Sequence, residues 1–281
     1  MIMELEQMIS RVDELLPPQP AIRLTISNGE CTVFDSKLGG TPYFPKDMEY
    51  PRGKKNKFEG QPLLLLAQLN FEQIPNIPDF PTKGILQFFI AADDLYGMSP
   101  DYGEEMAHQH NFRVIYHENI ITDTSLLLSE DEIPAPEVDD MYMPFTGEFK
   151  LTAGEPEKMQ ANIFDFRFGD AFVKAYNEFA DEPVEELWDI DDSITDPLYD
   201  KTDDFPNAVI GGYPIFTQDD PRCVEDVADC DVLLFELDSY YNTEIGIDIM
   251  WGDSGTGSFM IPRDRLKALD FSRVLYNYDC C

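Results

Sequence analysis

Apolar residues recur at spacings of three and four over residues 2–16, at Ile2, Leu5, Ile9, Val12 and Leu16. That period predicts an amphipathic helix, stopped by Pro17-Pro18. The pattern then changes. Residues 21–27 and 31–34 read as short strands joined through Asn28-Gly29, two residue types that tolerate the positive φ of a tight hairpin turn. Residues 63–70 and 84–91 are almost wholly apolar runs, as expected of strands covered on both faces. Pro75, Pro78 and Pro81 hold the connection between them extended. Residues 111–117 set Phe112, Val114 and Tyr116 against Arg113, Ile115 and His117, a half-buried strand. Helical spacing returns at Phe168, Phe172, Ala175 and Phe179, with Pro183 beyond it. Residues 231–237, 247–251 and 257–261 are strand candidates, the last two read as a hairpin around a Gly-rich turn. Pro262 suits the start of a short helix through Leu269, and residues 273–278 close the chain as a strand.

Two stretches echo each other. Gly39-Gly-Thr-Pro-Tyr-Phe-Pro-Lys-Asp47 is matched by Gly211-Gly-Tyr-Pro-Ile-Phe-Thr-Gln-Asp219. Each is followed by an apolar strand ending alike, through Gln68 and Asn70 in one case and Glu236 and Asp238 in the other. A second apolar strand follows each, at Phe88-Phe89-Ile90 and Phe259-Met260-Ile261. The reading is a single α+β, predominantly β domain over 1–281, built from two diverged internal repeats at approximately 21–120 and 205–278. Helix 2–16 is an accessory, and residues 165–204 form a helical and acidic connection. Two such copies are expected to pack about a pseudo-two-fold axis with a groove between them. Gln68 and Glu236 are polar groups ending apolar strands, so each must find a partner, and tying the Gly-Gly loops to the sheet is the expected role.

Charge narrows the partners. Twenty Lys+Arg against fifty-five Asp+Glu leave −35, which repels nucleic acids and anionic membranes and attracts cations and basic proteins. A solubility shell or a housekeeping role would also account for it. The single dense basic run, residues 52–57, reads as a solvated loop on so acidic a chain. Five cysteines without a regular framework suit a reducing compartment. The acids Glu4, Glu6, Asp13 and Glu14 do not fit a secretory leader, and no run is long enough for a membrane span. The expectation is a cytoplasmic protein of unknown oligomeric state, with no nucleic acid and no membrane as partner.

Ser36-Lys-Leu-Gly-Gly-Thr-Pro-Tyr-Phe-Pro45, the Leu-Leu-Ala-Gln-Leu-Asn-Phe run ending at Phe71, Gly84-Ile-Leu-Gln-Phe-Phe-Ile90, Asn111-Phe-Arg-Val-Ile-Tyr-His117 and Ile249-Met-Trp-Gly-Asp-Ser-Gly255 carry a resemblance. They are similar to the YwqG-like family of uncharacterised bacterial proteins, over nearly the whole chain. The resemblance implies a mainly β, roll-like fold and no established enzymatic activity. It also implies, through relatives associated with toxin–immunity loci, an antitoxin-type binding role. It brings no catalytic residues.

The motifs give little catalytic chemistry. Gly252-Asp-Ser-Gly255 spells the nucleophile segment of chymotrypsin-like proteases, but none of His108, His110 and His117 has the setting of the base, so it reads as turn chemistry. His108-x-His110 with His117 could bring three imidazoles together for zinc, but no Cys cluster is near in sequence and the set reads as ordinary surface histidines. Residues 189–200 match a calcium loop in part, yet Ile194 stands where the sharp turn needs glycine and Asp200 where the longer Glu belongs. No cofactor, metal or catalytic residue is therefore expected. The remaining option is an aromatic and acidic groove of Tyr43, Phe44, Asp47, Asp248, Trp251 and Asp253, although Trp251 also reads as core. The expected function is a non-enzymatic acidic binding protein for a basic partner, an immunity protein for a basic toxin domain being one form of it. The alternative is an enzyme or small-ligand receptor using carboxylates in the groove.

Overall fold

The structure, a computed structural model, describes residues 2–199 and 205–281, with side chains from residue 5 onward in the first helix. The elements run α1 (Ile2–Leu15), β1 (Gln19–Ser27), β2 (Lys37–Gly39), β3 (Leu64–Asn70), β4 (Ile85–Ile90), β5 (Phe112–His117), β6 (Glu148–Ala153) and β7 (Glu157–Met159). They continue with α2 (Phe168–Asn177), α3 (Asp192–Tyr199), β8 (Ala208–Gly211), β9 (Val232–Asp238), β10 (Tyr240–Asn242), β11 (Ile247–Ile249), β12 (Thr256–Ile261), α4 (Arg263–Lys267) and β13 (Leu275–Asp279). The protein is predominantly β.

Eleven strands make one antiparallel sheet, curled into a half-barrel, in the order β5-β4-β3-β2-β6-β1-β8-β9-β12-β13, with β7 beside the start of β1. Two bulges help it curl. Leu66 is the extra residue of β3 against β4, and Leu234 the extra residue of β9 against β12. Each adds local twist at the same distance before a buried polar residue, Gln68 or Glu236. The concave face closes on aromatic rings from both ends of the sheet. Phe88 lies 5.2 Å from Phe235 and 4.8 Å from Phe259, and Phe112 lies 5.1 Å from Tyr276. Every residue of β4 and β12 is buried, so both faces of these strands are covered, and the polar Gln87, Thr256 and Ser258 are enclosed with the apolar positions. Against the flank of the sheet, Met8 and Val12 of α1 pack on Phe168, Phe172 and Ala175 of α2. Phe179 falls past the end of α2 and is exposed.

Two hairpins expected from turn signals do not form. Residues 31–34 carry no strand, because Asp35 Oδ2 accepts the Thr32 amide (2.7 Å) and hydroxyl (2.8 Å) and folds them into a turn. The Asn28 side chain goes instead to the carbonyl of Ile245, and β1 pairs with β6, β7 and β8 from far along the chain. Likewise β11 does not pair with β12. It joins β10 in a separate two-stranded sheet, while β12 lies between β9 and β13. The Gly-Asp-Ser-Gly turn connects two sheets, and the Gly255 amide closes it by donating to Trp251 O at 2.8 Å.

Both glycine pairs take left-handed backbone, φ 62° and 68° at Gly39 and Gly40 and 68° and 75° at Gly211 and Gly212. At Gly211 a Cβ would also meet Pro20 O at 2.2 Å, where β8 lies closest to β1. Gly60 has a similar φ of 77° with nothing within 4 Å of a Cβ. Gly60→Ala is therefore expected to cost only the left-handed penalty of about 1–2 kcal/mol. Gly211→Ala should lose distinctly more, since backbone must also move. Urea unfolding of both variants checks this, and equal losses would mean that the close β1–β8 approach contributes nothing.

Candidate functional site

Of the six residues expected to line a groove, the three aromatic ones are buried and the three acids are exposed. Tyr43 and Phe44 are fully buried on the convex side of β3 and β4, where Phe44 packs on Tyr50 and Phe89 and the Tyr43 hydroxyl accepts from the Ile121 amide (2.8 Å). Trp251 is buried in the concave core between Tyr96 and Tyr278, with its ring against Gly257. Asp47, Asp248 and Asp253 are exposed on separate turns and strands. The left-handed glycines that make these stretches look like open loops fold the rings back onto the sheet, so the aromatic half of the expected surface is core.

The polar positions of the convex face make two different arrangements. In the first, the Tyr43 amide donates to Gln68 Oε1 (2.9 Å), and the Gln87 amide group donates to Tyr43 O (2.6 Å) and to Gln68 Oε1 (2.8 Å). Gln87 Oε1 faces His117 Nε2 at 2.9 Å. Burial holds His117 down to about 4, so at neutral pH it is an uncharged ring donating its Nε2 proton to that amide oxygen. Each of these groups has a partner.

In the second arrangement the same face of β9, β12 and β13 carries acids. Asp238, Thr256 and Asp279 are directly opposed across the three strands, and Glu236, Ser258 and Asn277 form the adjacent row. Glu236 Oε2 accepts the Ile215 amide (3.0 Å), the counterpart by position of the Tyr43–Gln68 contact. Asp279 Oδ2 accepts the Gln218 amide (2.7 Å), and Thr256 donates to Asp238 (2.7 Å). Ser258 Oγ, Asn277 Nδ2 and Asp279 Oδ1 have no hydrogen-bond partner among the described residues. Burial raises all three carboxyls, Glu236 well above the usual range and Asp279 to about 6. A pocket of about 160 Å³ lined by Leu95, Met98, Tyr102 and Gln218 ends on Asn277 and Asp279.

Gln218 and Asp219 form the ridge between that pocket and a larger groove. The loop carrying them is pinned from below by Arg222, which is 0% exposed. Arg222 donates to both oxygens of Asp220 (2.9 and 2.6 Å) and to Asp165 (2.8 Å), while Arg167 grips Asp165 from the other side (2.8 and 2.7 Å). The Phe166 amide donates to Asp220 (3.0 Å), tying the loop to the approach of α2. Over this base lies a groove of about 540 Å³ lined by Phe166, Asp170, Glu185, Glu186, Trp188 and Asp219. Among the described residues no basic side chain lines it, and none of its four exposed acids is in an ion pair. Trp188 is 80% exposed. The acidity of the connection 165–204 is visible in the sequence, but nothing in it says that Trp188 stands clear of the core. Nor is the suggested calcium loop formed: α3 runs through Ile194, Asp191 instead caps Ser193, and Asp200 lies outside the described residues.

Residues 36–280 match the model of a family described as a domain of unknown function, DUF1963. The chain belongs to the DUF1963 family. The match takes in every strand from β2 onward, both glycine-pair loops and all the groove residues, leaving α1 and β1 before it. No curated protein matches this DUF1963 chain. Among the described residues no helix is long and apolar enough to cross a membrane.

The raised Asp279 fixes the direction of a pH effect. Its folded value of about 6 lies above the unfolded one, so between the two the folded state holds the extra proton. Stability from this group is full below the unfolded value and is lost as pH rises through 6, by on the order of 2–3 kcal/mol. Asp279→Asn, which keeps an oxygen for the Gln218 amide, is expected to raise stability at pH 7.5 (a chosen condition, ~1–2 units above the titration) more than at pH 5. Denaturant melts at the two values test it, and an equal effect at both would exclude Asp279 as the titrating group.

Proposed function

We propose that this DUF1963 protein is a non-enzymatic binding protein that seats a basic segment of a partner protein in the acidic groove under Trp188. The observation that carries the reading is the exposed indole among Asp170, Glu185, Glu186 and Asp219, with no basic side chain in the lining among the described residues. An exposed tryptophan costs solvation in the free protein and supplies a large rigid contact when covered. Its face also attracts a guanidinium or ammonium group, which the surrounding carboxylates would hold. The −35 charge adds long-range attraction for such a partner and speeds its encounter. A basic toxin domain masked by an immunity protein is one partner of this chemistry, and the YwqG-like resemblance points the same way.

Duplication belongs to the same proposal. Repeats at approximately 21–120 and 205–278 within one domain are supported by the mirrored strand order, the matching bulges at Leu66 and Leu234, and the paired contacts Tyr43–Gln68 and Ile215–Glu236. On this reading the second copy and the connecting segment diverged to carry the groove.

A labelled Arg/Lys-rich peptide, with a Glu-rich control, provides the test. Binding should be selective for the basic peptide, fall with added salt, and weaken about 30-fold in Trp188→Ala, a typical hot-spot loss of about 2 kcal/mol. The exposed position makes that substitution safe for the fold. Equal binding by wild type and Trp188→Ala would reduce the effect to diffuse charge and sink the groove. A small-ligand receptor is the second reading, favoured by Asn277 Nδ2 and Asp279 Oδ1 standing without partners at the end of the smaller pocket.

A further inference from the structure

We propose that Glu105, His108 and His110 form a binding site for a divalent transition-metal ion of zinc type. The donor atoms of the three side chains all lie within 4.8 Å of one another. His108 Nδ1 is 3.1 Å from Glu105 Oε1, and His110 Nε2 is 3.4 Å from Glu105 Oε2. Tetrahedral zinc with bonds of about 2.0–2.1 Å sets its ligand atoms roughly 3.3–3.5 Å apart, so donor atoms now spread over up to 4.8 Å would draw in by on the order of 1 Å to close on an ion. Two imidazoles and one carboxylate, with a position left open, are the donor set of a zinc site that keeps a water or substrate ligand. His117, which the sequence suggested as a third imidazole, is instead buried on β5 with its Nε2 committed to Gln87.

The surroundings are built as well as close. His108 Nε2, the nitrogen turned away from Glu105, lies 3.9 Å from Glu104, beyond hydrogen-bond reach but within the range of the carboxylate's charge. Glu104 is in turn gripped by Arg273 through both oxygens (3.0 and 2.8 Å), and Arg273 also reaches Asp229 (3.0 Å). The backbone at His110 is fixed by its carbonyl accepting from the Lys54 amide (2.9 Å). Asn111 Oδ1 accepts from the Lys54 and Lys55 amides (3.2 and 3.1 Å).

Lys55 Nζ lies 2.6 Å from Glu105 Oε2 and holds the oxygen a metal would take. Both partners are well exposed, so displacing the ammonium costs little. A hollow of about 100 Å³ lined by Ser99, Asp101 and both histidines gives an exogenous ligand access to the open position. This site is separate from the Trp188 groove and does not depend on it.

Titration calorimetry of the full chain with Zn²⁺, in excess Mg²⁺ to occupy the acidic surface, tests the proposal. One saturable equivalent is expected. His110→Ala and Glu105→Gln should each weaken it at least about 10-fold. Lys55→Ala should tighten it by freeing the carboxylate. Co²⁺, added separately, should give a visible ligand-field band in wild type and none in a His108→Ala/His110→Ala variant whose circular dichroism is unchanged. Equal Zn²⁺ affinity in wild type and the double variant, or no single saturable equivalent above Mg²⁺, would overturn it.

Discussion

In each half of the sheet a bulged strand ends in a buried polar side chain, Gln68 or Glu236, whose oxygen takes the amide three residues beyond a pair of left-handed glycines. A loop amide buried without an acceptor, or a strand oxygen buried without a donor, costs about 1–3 kcal/mol, so the two groups constrain each other. Once the contact forms, the loop must lie across the convex face. Tyr43 and Phe44 are then carried into the core on one side, and Tyr213 and Phe216 on the other. The bulges place the polar residue on that face and add the twist that brings Phe88, Phe235 and Phe259 together on the concave one.

The two halves use this frame differently. Gln68, Gln87 and His117 form an uncharged network in which amide, ring and loop backbone satisfy one another. Ser258 replaces the long Gln87 by register, and Glu236 and Asp279 stand where Gln68 and His117 do. The shorter side chain cannot bridge its neighbours, which leaves partnerless atoms and raised carboxyls beside a pocket. Strain of this kind, absent where the network is complete, is a physical reason to look for function in the second half.

Charge acts at two ranges. Internal pairs consume many of the basic residues, most fully at Arg222, whose partners Asp165 and Asp220 would otherwise be buried charges. What remains outward is acidic, and it matters most where it surrounds a feature with shape, as at Trp188. The cluster of Glu105, His108 and His110 is a different case, since imidazole nitrogens give it a preference that carboxylates alone lack.

Much of the fold was legible in the chain. The helix at residues 2–16, the largely apolar runs that became β3 and β4, and the echo of the glycine pairs were visible because burial and backbone freedom leave local marks. Gln68 and Glu236 were visible as groups that needed partners. The hairpins at Asn28-Gly29 and at Gly252–Gly255 were misread, since a turn signal says that the chain bends but not which strand receives it. The candidate surface failed for a related reason: an aromatic ring beside glycines looks the same in sequence whether it faces water or core. By itself the sequence determined composition, charge and the periodicity of each element. The pairing of β1 with β8, the exposure of Trp188 and the approach of Glu105 to His110 depend on how distant segments pack, and only the tertiary structure decided them.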